Sequence, residues 1–226
     1  MSPSIKTIAA DFDRIALLSA GGWDHNTHYH GFLLSQLPAR CAQALEIGCG
    51  TGAFSRQLAA CSDRVLALDL SPQMIRAARQ YSEQHRNIEF QVADILQTEL
   101  LDNQFDCVAT IATLHHLPAR EMFVRIKRTL KPGGTLLVLD LFEGESVSDL
   151  LTSALAVPTN MALRLLHTGR LTESSELREA WAEHGRHDEY LTMSAVRRLG
   201  AEILPGAVVR KHLLWRYSLV WRKPAA

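Results

Sequence analysis

The stretch Ala44-Leu45-Glu46-Ile47-Gly48-Cys49-Gly50-Thr51-Gly52-Ala53-Phe54-Ser55 decides how the rest of the chain is read. Ala44 to Ile47 is a brief apolar run holding one acid, the signature of a short buried strand. Gly48, Gly50 and Gly52 alternate, so the backbone can take left-handed angles and approach a ligand with no Cβ in the way. Phe54, Leu58 and Ala59 then fall at helical spacing, with Thr51 or Ser55 placed to cap the start. A helix N-terminus beside a glycine loop offers free N–H groups and a partial positive charge. The stretch therefore predicts a ligand with a carboxylate, a phosphate or a polarised nucleotide.

Two ligand classes compete for such a turn. Gly48 to Ala53 satisfies the dinucleotide pattern G-x-G-x-x-G/A. Glu46 to Gly52 also resembles motif I of the class I S-adenosylmethionine (AdoMet)-dependent methyltransferases, E/D-x-G-x-G-x-G, without exception. Glu46 discriminates between them. A carboxylate ahead of the glycines repels a pyrophosphate but suits an ammonium group, and AdoMet carries an ammonium, a sulfonium and no phosphate. A ligand-free glycine turn is the bland alternative, and the landmarks downstream weigh against it.

Val65 to Leu70 reads as a second strand, apolar on both faces and ending near Asp69. An acid there can accept from both ribose hydroxyls, and the resemblance assigns Asp69 that role. Ser71-Pro72 supplies an N-cap and an N1 proline, which frees Asp69 for the ligand. Leu70 and Met74 are candidates to flank the adenine. Ile88 to Asp94 alternates as a third strand. Asp94 resembles the motif III acid that accepts from the adenine amine, with Ile95 packed on the ring. Phe105 to Ala112, with Ile111 on the cofactor side, is the fourth. Thr113-Leu114-His115-His116-Leu117-Pro118 follows at its carboxyl end, where open α/β sheets hold their chemistry. One of His115 and His116 can orient or deprotonate a nucleophile while the other packs; which one stays open. Ala119 to Leu130 is an amphipathic helix. Leu130-Lys131-Pro132-Gly133-Gly134 before the strand Thr135 to Leu141 is characteristic of class I methyltransferases and argues against a dehydrogenase.

The flanks match the family only as regions. Ile8, Phe12, Ile15 and Leu18 predict a helix over Thr7 to Ser19, stopped by Gly21-Gly22. Trp23 to His30 is dense in polar and aromatic residues, and in this family such a segment folds over the cofactor as a lid. Tyr29 is expected on the cofactor, and His28 joins His115 and His116 as a catalytic candidate. Asp24, His25, His28 and His30 have metal-ligand character, but no distant partner cluster is evident, and no metal is expected. A second helix is predicted from Gly31 to Pro38. Between residues 142 and 192, helices are expected over Ser148 to Ala156 and Asn160 to His167, broken at Pro158. Further helices are expected over Leu177 to Glu183 and Thr192 to Leu199. Trp181, His184, His187, Asp188 and Tyr190 are the polar and aromatic candidates there, each individually more readily structural. Leu150, Leu151, Leu155, Met161, Leu165 and Leu166 suit a pocket, a homodimer face or ordinary core. Gly206 to Leu214 and Tyr217 to Arg222 read as a hairpin turning at Trp215-Arg216.

Composition sets the bounds. The 226 residues are 47% hydrophobic and 21% charged, enough for one domain. Twenty-four basic residues balance 24 acidic ones with no polybasic run, so a nucleic-acid partner has no electrostatic support. The four cysteines show no C-x-x-C spacing and read as reduced thiols of a cytoplasmic protein. No signal peptide and no membrane span are expected. The expected fold is α/β and Rossmann-like: a seven-stranded, mostly parallel sheet with an antiparallel C-terminal hairpin. The expected divisions of the single domain 1–226 are a helical lid (1–40), an AdoMet-binding core (41–141), a helical substrate cap (142–192), and a C-terminal helix and hairpin (193–226). The resemblance implies AdoMet as cofactor, bound by Tyr29, Glu46, Gly48, Cys49, Gly50, Gly52, Asp69, Leu70, Met74, Asp94, Ile95 and Ile111. The implied reaction is in-line SN2 methyl transfer to an O, N or C nucleophile of a small molecule, driven by positioning. No N-P-P-Y/F motif follows strand four, which disfavours nucleic-acid amine methylation. The alternatives are C-methylation of a quinone-type lipid, an NAD(P) oxidoreductase, and a module that holds AdoMet without turnover.

Overall fold

The computed structural model describes residues 5–18, 23–186 and 188–225. Helices α1 (Ile5–Leu18) and α2 (His30–Leu34) precede the sheet. There follow β1 (Cys41–Ile47), α3 (Ala53–Ala60), β2 (Ser62–Asp69), α4 (Pro72–Tyr81), β3 (Ile88–Val92), β4 (Phe105–Ile111), α5 (Ala119–Thr129) and β5 (Leu130–Leu141). The chain closes with α6 (Val147–Thr168), α7 (Ser175–His184), α8 (Met193–Ile203), β6 (Val208–Lys211) and β7 (Arg216–Arg222).

The strands form one sheet in the order β3-β2-β1-β4-β5-β7-β6. The first five strands pair in parallel, and β7 runs antiparallel to both its neighbours. This is the expected mostly parallel sheet with an antiparallel terminal hairpin. Strand side chains alternate between faces, so a strand buried on both sides must be apolar throughout. Leu45, Val108, Leu136 and Val138 face Met122, Phe123 and Ile126 of α5. Their neighbours Ala44, Cys107, Ala109, Leu137 and Leu139 face Leu33, Phe54 and Leu58 on the other side. The strand order reverses between β1 and β4, and a cleft opens at their carboxyl ends.

The structure corrects several boundaries. Pro158 does not break the helix: α6 runs unbroken for 22 residues. A capping box of Ser146 and Asp149 opens it, Gly169 closes it in the left-handed region, and the Thr159 hydroxyl donates to the Leu155 carbonyl 2.8 Å away beside the proline. The strong ends carry the helix through the missing hydrogen bond. The helix expected from Gly31 to Pro38 is shorter: it starts at His30, directly after a 3-10 turn at Thr27–Tyr29, and ends at Leu34. The hairpin turns at Leu214 and Trp215, both at positive φ, one residue earlier than expected. The Gly21-Gly22 stop and His187 lie outside the described residues. All four cysteines are free thiols. Among the described residues, no helix is long and apolar enough to cross a membrane.

Candidate active site

The cleft floor is the glycine turn. Gly48 sits at φ +72, and a Cβ there would fall 2.0 Å from the Thr113 hydroxyl, so only glycine fits between β1 and the end of β4. Gly50, at φ +51, has nothing within 4 Å of the same position: its missing side chain opens onto the cleft. Glu46, Gly48, Cys49, Gly50, Asp69, Leu70, Met74, Asp94, Ile95 and Ile111 all line this one cavity. Ala112, beside Ile111, holds a positive φ of 48°, a strained angle for a residue with a Cβ.

The three strand-end acids are held differently. Glu46 is only 2% exposed, and the Ser55 hydroxyl donates to it from the first turn of α3. Burial pushes its carboxyl up to about 8. Asp69 accepts the Gly50 N–H at 2.8 Å through one oxygen and the Ser71 N–H at 2.9 Å through the other. Ser71 does cap α4, accepting from the Met74 N–H, but Asp69 is not thereby freed: it braces the glycine turn while lining the cleft. Burial raises its carboxyl, against those two backbone bonds. Asp94 accepts the Leu96 N–H at 2.9 Å, which turns the chain sharply after β3.

The roof comes from the N-terminal residues. Ile8, Phe12 and Ile15 of α1 line the cavity from above with Trp181 of α7. Asp13 ties this roof to the floor: its carboxylate accepts from the Ser71 hydroxyl at 2.5 Å and from the Gln73 N–H at 3.1 Å, capping α4 from another helix. The segment after α1 reaches the cleft through Asp24, Asn26, Thr27 and His30. The Asp24 carboxylate accepts from the Asn26 and Thr27 N–H groups, and this local turn sets which side chains face in.

That turn moves two expected residues out. Tyr29 points away from the cleft and donates to the Leu213 carbonyl at 2.6 Å, pinning the segment to the terminal hairpin; burial raises its phenol to about 12. His28 is exposed and does not line the cavity. Gly52 is also not a lining residue. At φ +74 it caps α3, and a Cβ would meet the Phe90 ring at 2.9 Å, so its place is in packing.

The histidine pair separates. His116 lines the cavity, and burial followed by the neighbouring charge of His115 pushes it down to about 4, neutral at physiological pH. His115 does not line the cavity. Its Nδ1 lies 2.7 Å from Asp140, which also accepts its backbone N–H at 2.9 Å. Asp140 went unread in the sequence, although it stands at the carboxyl end of β5 as the other acids stand on theirs. Asp188 and His184 complete this corner.

Comparisons place the chain among known proteins. A family model described as a methyltransferase domain matches residues 45–138. An uncharacterized methyltransferase of Mycobacterium tuberculosis is 30% identical over 203 residues, covering 89% of this chain and 98% of that protein. A ubiquinone biosynthesis O-methyltransferase of Xylella fastidiosa is 30% identical over 144 residues, covering 57% of this chain and 58% of that one. Among solved structures, the N-methyltransferase NodS of Bradyrhizobium japonicum with S-adenosylhomocysteine superposes with a TM-score of 0.59 at 19% identity, over 96% of this chain and 98% of that chain.

Proposed function

The chain belongs to the class I S-adenosylmethionine-dependent methyltransferases, and we propose that it methylates a small acceptor with an apolar body, held between α1 and the carboxyl ends of β1 and β4. One observation carries the reading. Three strand-end acids, two glycines and two neutral histidines, His30 and His116, share a single cleft under an apolar roof.

The residues present fit the cofactor. Glu46, buried with one hydroxyl donor, is a site for the ammonium group. Asp69 would hold the ribose hydroxyls, Asp94 the adenine amine, and Leu70, Met74, Ile95 and Ile111 the apolar surfaces. The Gly48, Cys49 and Gly50 backbone would lie against the methionine portion. AdoMet supplies an electrophilic methyl group that a nucleophile displaces in line. The chain supplies position and dryness: Phe12, Ile15 and Trp181 exclude water over the acceptor. His116 faces the acceptor as a steering group, and His115 acts on it as a positioning residue braced by Asp140. The similarity to an O-methyltransferase supports oxygen nucleophiles as the first acceptors to assay.

Calorimetric titration with S-adenosylhomocysteine, with NAD run beside it, tests the assignment. Micromolar binding of the first and none of the second is expected. Binding of NAD alone would overturn it.

A further inference from the structure

Beside the cleft, six short gaps join six side chains, the widest being 3.9 Å from His184 Nε2 to Asp188 Oδ2. His115 Nδ1 lies 2.7 Å from Asp140 Oδ1, His184 Nδ1 lies 3.1 Å from Asp11 Oδ2, and His116 Nε2 lies 3.3 Å from His184 Nε2. His116 Nδ1 is 3.5 Å from Asp188 Oδ1, and His115 Nε2 is 3.8 Å from Asp188 Oδ2. The three shortest are hydrogen bonds. The three widest all end on the Asp188 carboxylate, one from each histidine.

Asp188 has its own deficit. Its side chain is 4% exposed. The Tyr190 hydroxyl donates to Oδ2 at 3.0 Å, but Oδ1 finds no hydrogen-bond partner among the described residues. One atom from each of His115, His116 and Asp188 lies within 4.8 Å of the other two. A buried carboxylate oxygen with no donor is an arrangement proteins avoid.

We propose that this corner binds a divalent transition-metal ion through His115, His116 and Asp188, with zinc the best match to the donors. One ion would join the Asp188 carboxylate to both His115 and His116. Two imidazoles and one carboxylate are a donor set for zinc and its first-row neighbours. Ligand-to-ligand edges in a tetrahedral zinc site are about 3.3 Å, slightly shorter than the gaps seen. The surroundings are those of a metal site: a carboxylate fixes the His115 ring, the Asp11–His184 pair fixes His116, and Tyr190 orients Asp188. Three protein ligands leave a position open, and His116 borders the cleft. An oxygen or nitrogen lone pair of the acceptor would complete the ion. That last assignment rests on the methyl-transfer reading; the ion itself does not.

The test uses the full chain, stripped with chelator and titrated with Co²⁺ and then Zn²⁺. One equivalent of Co²⁺ should bind with the visible absorption of a low-coordinate ion, and Zn²⁺ should displace it. Asp188→Asn keeps shape and removes charge; it should weaken Co²⁺ binding on the order of 100-fold while the circular dichroism spectrum stays native. S-adenosylhomocysteine titration of the same samples separates the two readings, since cofactor binding without metal binding, or the reverse, points to one alone. Absence of the Co²⁺ spectrum in the wild-type chain, or binding unchanged in Asp188→Asn, would overturn the proposal.

Discussion

Glu46 is the residue on which most of the chemistry turns. Its carboxyl stands near 8 in the folded protein against an ordinary 4.5. Between those values an unfolded chain ionises and the folded one does not. The unliganded protein therefore loses stability as pH rises across that window and loses no more above it. Urea denaturation of Glu46→Gln beside the wild type should show the variant gaining relative stability from pH 5 to 8. The same change should weaken S-adenosylhomocysteine binding by about 1.5–3 kcal/mol, since a charged partner of the ammonium is lost. It should also abolish the proton released on binding at pH 6.5, read by calorimetry in two buffers. The glycines give a second contrast. Gly48→Ala forces a methyl into the Thr113 hydroxyl at 2.0 Å and should abolish binding, with a stability loss of about 1–3 kcal/mol. Gly50→Ala meets nothing and should fold with a penalty of about 1–2 kcal/mol for its φ, losing affinity because its methyl enters the cleft. Glu46, Gly48, Gly50, Asp69 and Asp94 were legible because each stands at a fixed offset from a strand end. Tyr29 and Gly52 fall outside the cavity because their direction depends on a 3-10 turn and on the Phe90 ring, neither of which a local pattern encodes.

At the scale of elements, α1 matters more than its length suggests. Its amphipathic spacing was plain in Ile8, Phe12 and Ile15, but what it covers was not, since Asp13 meets Ser71 across 58 positions of sequence. Asp13→Ala should destabilise the fold by about 1 kcal/mol, the worth of a helix cap, and speed the dissociation of S-adenosylhomocysteine in stopped flow. Helix α6 makes the opposite point. Its proline reads as a stop, and only the strength of both caps reveals one continuous helix. Pro158→Ala restores a backbone donor and should raise stability by up to about 3 kcal/mol, seen as a higher melting temperature with unchanged cofactor affinity.

For the molecule as a whole, the sheet was legible almost strand by strand, because parallel strands buried on both faces are apolar throughout and their acids fall at one edge. The corner of His115, His116, His184 and Asp188 was not. It gathers β5, α7, the loop after α7 and the turn after β4, and no spacing in the chain encodes that meeting. Helix α1 is joined at one end of the cleft to α4 through Asp13 and at the other to α7 through the Arg14–Glu183 ion pair at 2.7 Å. These two ties hold α1 over a ligand on the sheet. Departure of spent cofactor is expected to require them to loosen, whereas the methyl moves only a short distance, so departure is the step expected to be slow. Rapid-quench sampling with a working acceptor should show one methyl per chain delivered in a burst, followed by a slower steady rate that Asp13→Ala accelerates.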